Sequence, residues 1–163
     1  MIHTLIQKQI DEIKNQLKQI EKRINELLDE DKDFKNKKEI LQTVPGIGTG
    51  TIAALLCYLP ELGIANRKQV AALVGVAPLT CESGMFRGKA MIKGGRSQLR
   101  KRLYMPTLAC IRFNPPLKAF YQRLIQKGKP PKVAITAVMR KLILILNVMI
   151  KNNSPWREKM IDV

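Results

Sequence analysis

Residues 39–59 read EILQTVPGIGTGTIAALLCYL. Apolar Ile40, Leu41 and Val44 close a short helix, Pro45-Gly46-Ile47-Gly48 breaks it, and a second helix starts at Thr49 or Thr51, either of which suits an N-cap. Glycine at 46 and 48 frees the backbone for a tight turn and for close approach to another group. Helices on both sides of a two-glycine hairpin, with no strand-rich region elsewhere in the chain, set the fold class as all-α.

On the N-terminal side, Ile6, Ile10, Ile13, Leu17, Ile20, Ile24 and Leu27 alternate spacings of four and three. Ile10, Leu17 and Ile24 fall at heptad position a, and Ile6, Ile13, Ile20 and Leu27 at d. So narrow an apolar seam gains little unless it is buried on a partner. A dimerising coiled coil and a long helix folded back on the body both satisfy it. The charged run DEDKDFKNKK at 29–38 reads as a breaker or a frayed continuation, with Phe34 docking it to the body.

On the C-terminal side the reading is helical almost throughout. A short helix spans Arg67–Val74 and closes at Gly75. Another starts at Ser97, with Pro106 predicting a kink or a break, and Asn114-Pro115-Pro116 ends it. A helix at Leu117–Ile125 leads through the basic turn at 127–132 to Val133–Ile150, the most apolar segment and the expected spine of the domain. Arg140 and Lys141 sit at the middle of that segment and would be costly in lipid, so it reads as a core helix and no membrane partner is expected. Trp156 is placed to cap the bottom of the core. The resulting organisation is a coiled-coil or dimerisation helix over 1–36, a helical domain over 37–151 and a flexible tail over 152–163.

Charge narrows the function. The chain carries a formal charge of +16, yet nine of its thirteen acids lie within residues 1–39. Residues 62–157 contain nineteen Lys and Arg and one acid, Glu82. Such a body calls for a polyanionic partner, nucleic acid before a membrane surface. It lacks the converging carboxylates of a two-metal nuclease and any histidine for a Ser-His-Asp triad. GIGTGT at 46–51 has no following lysine and is not a phosphate loop. Cys57, Cys81 and Cys110 have no metal-ligand spacing, and an odd count without a signal peptide suits reduced thiols in a cytoplasmic protein.

Within this body, residues 78–102 read PLTCESGMFRGKAMIKGGRSQLRKR. Glycines at 84, 88, 94 and 95 break the run into turns, a two-stranded flap fits 81–92, and cations crowd around Ser83. A serine hydroxyl can attack a phosphodiester where cations stabilise the charge that develops. A Ser-Gly pair is equally at home in a plain turn, and Cys81, Tyr104 and Tyr121 are other nucleophile types available.

Two resemblances bear on these alternatives. The VPGIG hairpin at 44–48 resembles the helix-hairpin-helix motif, which implies that Gly46 and Gly48 bring backbone N–H groups to a DNA phosphate. More broadly, VPGIG at 44–48, AALVGVAP at 71–78, ESG at 82–84, IKGGRSQLRKRLY at 92–104 and RFNPPLKAFYQRLIQKGKPPKVAITAVMRKL at 112–142 occur in the order and spacing of a known domain. Together they resemble the C-terminal domain of DEDD-type transposases of bacterial insertion-sequence family 110, with families 116 and 902 and the Piv-type DNA invertases as relatives. The likeness covers residues 40–150, and the heptad helix resembles that family's coiled-coil linker.

The resemblance implies DNA transposition or site-specific recombination with Ser83 as nucleophile and Arg87, Lys93, Arg96 and Arg100 around the DNA, to which the basic loop itself adds Lys89 and Arg102. It also implies a structured guide RNA and an N-terminal RuvC-like domain whose carboxylates hold Mg²⁺. That carboxylate set does not occur in this sequence. The expectation is therefore no cofactor in this chain, homo-oligomers through the coiled coil, and nucleic-acid binding without transposition by the chain alone. A helix-hairpin-helix nucleic-acid-binding dimer without chemistry is the alternative.

Overall fold

The first helix, α1 (Ile2–Glu30), stops because Asp31 leaves the helical conformation and caps the next one. Its carboxylate accepts from the backbone N–H groups of Asp33 (2.8 Å) and Phe34 (3.0 Å), so the expected charged breaker is a single capping residue between α1 and α2 (Lys32–Gln42). Lys38 of α2 reaches back to both carboxylate oxygens of Asp29 at 2.8 and 3.0 Å and ties the two helices together. The structure, a computed structural model, describes residues 2–80, 82, 83, 86–88 and 90–157, with 82, 83, 86 and 87 described as backbone only.

The remaining described elements are α3 (Thr49–Tyr58), α4 (Arg67–Val74), a flap of four two-residue strands, α5 (Ser97–Phe113), α6 (Pro115–Gln126) and α7 (Pro131–Lys151). The all-α expectation is met. α4 follows the sequence reading residue for residue, because Asn66 and Gln69 form a reciprocal capping box and Gly75 closes the helix in the left-handed conformation at φ +75°. α5 does not break at Pro106. Leu99, Leu103, Thr107 and Cys110 lie on one buried face, and their packing carries the helix through the proline. Ser97 is the first helical residue of α5 rather than its cap. Asn114 ends α5 and caps α6, accepting from Leu117 N–H at 3.3 Å.

The core forms around α7, which packs against α2, α4, α5 and α6. Val138, Leu142, Ile143, Ile145, Leu146 and Met149 on it are at most 1% exposed. Each such side chain is worth roughly 1.5–3 kcal/mol of burial. α7 is long and apolar enough to cross a membrane by length and composition, but 61% of its most apolar window is buried inside this fold. Asn147 places one polar group in that core. It accepts from Gly63 N–H at 2.7 Å and donates to the Ala65 carbonyl at 3.0 Å, pinning the α3–α4 loop to α7.

The chain end past α7 turns back onto α2. Asn153 bonds Asn36 at 2.7 Å, and half-buried Trp156 packs against the core and donates its backbone N–H to Thr43 Oγ1 at 2.8 Å. Residues 152–157, read from sequence as the start of a flexible tail, thus bond to α2 while Trp156 packs on the core as expected, and 158–163 lie outside the described residues. In contrast, the α1 seam has little cover from its own chain. Ile6, Ile10, Ile13, Leu17, Ile20, Ile24 and Leu27 are 38–57% exposed, and only Leu28, outside the a/d register, is buried.

Candidate functional site

The turn between α2 and α3 is held from beneath. Val44 and Ile47 are buried, and Gly46 (φ +95°) lies so close to α5 that a Cβ there would sit 2.7 Å from Cys110 N and 3.0 Å from Ala109 C. The Cys110 thiol donates to the Pro45 carbonyl at 3.2 Å, and burial pushes that thiol up to about 12. Gly46 therefore has a packing duty. Gly48 is the opposite case: it occupies the N-cap position of α3 at φ −92°, with open space where a Cβ would go and no side-chain cap on the helix. Gly48, Thr49 and Gly50 are exposed, so the uncapped α3 N-terminus faces outward.

Arg102 of α5 lies along α3, whose last residue is Tyr58. Its guanidinium lies 6.0 Å from the Tyr58 ring centroid. The side chain lines an open groove of about 470 Å³ with Gly50, Thr51, Met105, Pro106 and Ala109. It also lines a second groove of about 450 Å³ between Leu17, Ile20 and Ile24 of α1 and Ala53, Ala54 and Cys57 of α3. The structure thus brings Arg102 to the hairpin helix.

Ser83 lies on the flap between α4 and α5. β1 (Pro78–Leu79) pairs antiparallel with β4 (Met91–Ile92), and β2 (Glu82–Ser83) with β3 (Phe86–Arg87). The register sets Ser83 opposite Phe86 and Glu82 opposite Arg87. The β2–β3 pairing agrees with the flap expected over 81–92, and the β1–β4 pairing extends it to 78. Lys89, Gly84 and Cys81 lie outside the described residues. Lys93 is exposed on the returning leg.

Arg96 and Arg100 occupy the flap's root. The Arg96 guanidinium makes two 2.6 Å bonds to the Glu61 carboxylate and a 2.9 Å bond to the Tyr58 carbonyl, while its backbone N–H donates to the Leu73 carbonyl at 2.7 Å. The hydrogen bonds from Arg96, then a backbone bond at Glu61 itself, hold the Glu61 carboxyl down at about 2, and the same pairing raises Arg96. Arg100 donates to the Gly94 carbonyl at 2.7 Å and the Gly75 carbonyl at 3.1 Å, so one side chain spans both legs.

Glu61 was not singled out from sequence. Its signal was available: between residues 40 and 81 it is the one acid, set in a basic body, where an ion-pair partner is the natural expectation. Tyr104 is partly exposed on α5 and Tyr121 half-buried on α6, both on helices away from the flap strands. Among the described residues no three His, Cys, Asp or Glu side chains converge, so the magnesium that the family resemblance implies has no donor set here.

Residues 38–122, just over half of the chain, match the family described as Transposase IS116/IS110/IS902. The chain is similar to the pilin gene-inverting protein of Moraxella bovis, at 31% identity over 147 residues, covering 87% of this chain and 45% of that protein. It is also similar to the 43.6 kDa protein of insertion element IS110 from Streptomyces coelicolor, at 26% identity over 150 residues, 91% of this chain and 36% of that protein. A third relative, the 42 kDa protein of insertion element IS900 from Mycobacterium paratuberculosis, is 27% identical over 123 residues, 72% of this chain and 30% of that protein. The chain spans less than half the length of each of these relatives.

Proposed function

Because the chain belongs to the IS116/IS110/IS902 transposase family, we propose that it is the DNA-binding, serine-bearing part of a recombinase. The observation that carries this is the flap: a paired hairpin with Ser83 next to its turn, rising from an acid-poor body. In the step assigned to it, Ser83 Oγ attacks a DNA phosphorus and the bond from phosphorus to the departing sugar oxygen breaks. A protein–DNA phosphodiester forms, the serine proton passes to solvent, and the leaving oxygen takes up a proton. Flap cations, with Arg102 of α5, offset the charge that develops on the phosphate oxygens.

The glycine hairpin acts as a helix-hairpin-helix, with the α3 N-terminus and Arg102 holding a phosphate in place without reading base sequence. The Mg²⁺-binding carboxylates belong to a RuvC-like domain outside this chain, a structured guide RNA supplies pairing specificity, and the exposed α1 seam joins two copies of the chain. By itself the chain binds nucleic acid and performs no transposition.

The test supplies the carboxylate-bearing domain in trans with an insertion-element end as DNA. Ser83→Ala is expected to abolish the covalent protein–DNA adduct while duplex affinity stays within about twofold, and affinity falls steeply with salt as counterions are released. Recombination unchanged in Ser83→Ala would remove the nucleophile and leave a non-catalytic nucleic-acid-binding module carried by the hairpin.

A further inference from the structure

We propose that Glu61 and Arg96, together with Arg100, are positioning residues that fix the stance of the Ser83-bearing flap, and that neither arginine is a DNA contact. The flap leaves α4 at Gly75 and re-enters at α5, and its two legs touch backbone to backbone: Gly75 (φ +75°), Gly94 (φ +71°) and Gly95 (φ +68°) meet where a Cβ on Gly75 or Gly95 would collide with the facing leg. Such contact brings the legs together but does not aim them.

The aim comes from two guanidiniums four residues apart at the start of α5. Arg100 bonds one carbonyl on each leg, and Arg96 ties the returning leg to Glu61 and to the end of α3. Glu61 is itself rigidly mounted. Its carbonyl accepts from Ile64 N–H (3.0 Å) and Ala65 N–H (2.9 Å), Leu59 and Leu62 beside it are fully buried, and Asn147 fastens Gly63 and Ala65 to α7. A continuous line of contacts therefore runs from the core helix through Glu61 and Arg96 to the flap.

Charge fits the same role. α5 has no acid in its first turn, and a bare arginine at a helix N-terminus opposes the helix dipole. Glu61 supplies the missing negative charge from 35 residues away. At the other side, Arg96 N–H and the Arg100 guanidinium satisfy the carbonyls of Leu73 and Gly75 at the end of α4, where positive charge is favoured. With the Arg96 fork spent on Glu61 and the Tyr58 carbonyl, a phosphate would have to displace a carboxylate to reach it. The role presupposes a flap that carries a reactive serine, but flap protection and salt dependence can be read without any chemistry at Ser83.

The experiment compares the full 163-residue chain with Glu61→Gln, Arg96→Gln and the double variant, by amide hydrogen exchange and by the salt dependence of duplex binding. Each single variant is expected to raise exchange at the β1–β4 base of the flap about tenfold, the double variant no further, and α7 amides not at all. The slope of log affinity against log salt stays at its starting value in Arg96→Gln. A slope reduced by about 0.9 in Arg96→Gln would make Arg96 a phosphate contact and overturn the proposal. Unchanged flap exchange, or equal loosening of α7, would overturn it as well. Because these readouts do not depend on an adduct, loss of the serine assignment and loss of the positioning role are separable results.

Discussion

Gly46→Ala is the substitution whose cost the structure lets one work out. At φ +95° an L-residue takes up a left-handed strain of about 1–3 kcal/mol. The added methyl would also meet α5 at 2.7 Å from Cys110 N and 3.0 Å from both Ala109 C and Cys110 Cα. These are helix backbone atoms that cannot swing aside, so the hairpin must lift off α5 and loosen the buried Val44 and Ile47 beneath it. Overpacking of this kind adds about 1–3 kcal/mol. The expected destabilisation is about 2–6 kcal/mol, which for a chain of this size lowers Tm by roughly 4–24 °C. Gly48→Ala is the control, since its φ of −92° and open surroundings leave only an N-cap preference worth less than about 1 kcal/mol. Urea unfolding followed by circular dichroism measures both. Gly46→Ala within about 0.5 kcal/mol of the parent chain, or Gly48→Ala costing more than Gly46→Ala, would refute the packing argument.

Other perturbations follow from single contacts. Asn147→Leu removes the partners of Gly63 N–H and the Ala65 carbonyl and is expected to cost about 2–4 kcal/mol in the same unfolding assay. Glu61 has its carboxyl lowered from 4.5 to about 2, so the unfolded chain binds the extra proton between those values. Its contribution is present above about pH 4.5 and lost as pH falls toward 2. Because the pair is more than a third exposed, solvent screening keeps its energy small, and the sensitive measurement is flap exchange against pH, with a transition in that window that Glu61→Gln lacks. Cys110 is buried with its thiol raised to about 12, whereas Cys57 is exposed. Native protein treated with a thiol reagent near neutral pH should therefore be modified at Cys57, and at Cys110 only after denaturant is added.

Local rules were most legible where a short motif settles its own geometry. Asn66 to Gly75 carries a capping box at one end and a left-handed glycine at the other, and α4 has the span read from sequence. The 3-4 spacing of the first 28 residues likewise gives one long helix whose seam its own chain leaves exposed. At Pro106 a local rule competes with a buried face: Leu99, Leu103, Thr107 and Cys110 pack on one side of α5, and the helix runs on without the break that proline allowed. The candidate site divides in the same way. The hairpin over Ser83 follows from turn residues close in sequence, whereas the reading of Ser83 as a nucleophile rests on the family resemblance. The destinations of the nearby arginines do not, since a side chain's partner is a fact about folded space.

What the sequence by itself determined was the helical class, the apolar spine at α7, the seam of α1, the asymmetric charge and the family, because periodicity, turn chemistry and net charge act over a few residues or over the whole chain. Tertiary structure alone decided that Gly46 serves α5 while Gly48 faces outward, that Arg102 joins the hairpin helix, and that Arg96 is taken by Glu61, 35 residues away. Those outcomes depend on which surfaces α7 draws together as it is buried. Two glycines two residues apart, or two arginines one turn apart, are alike along the chain and become different only when the core fixes what stands opposite each.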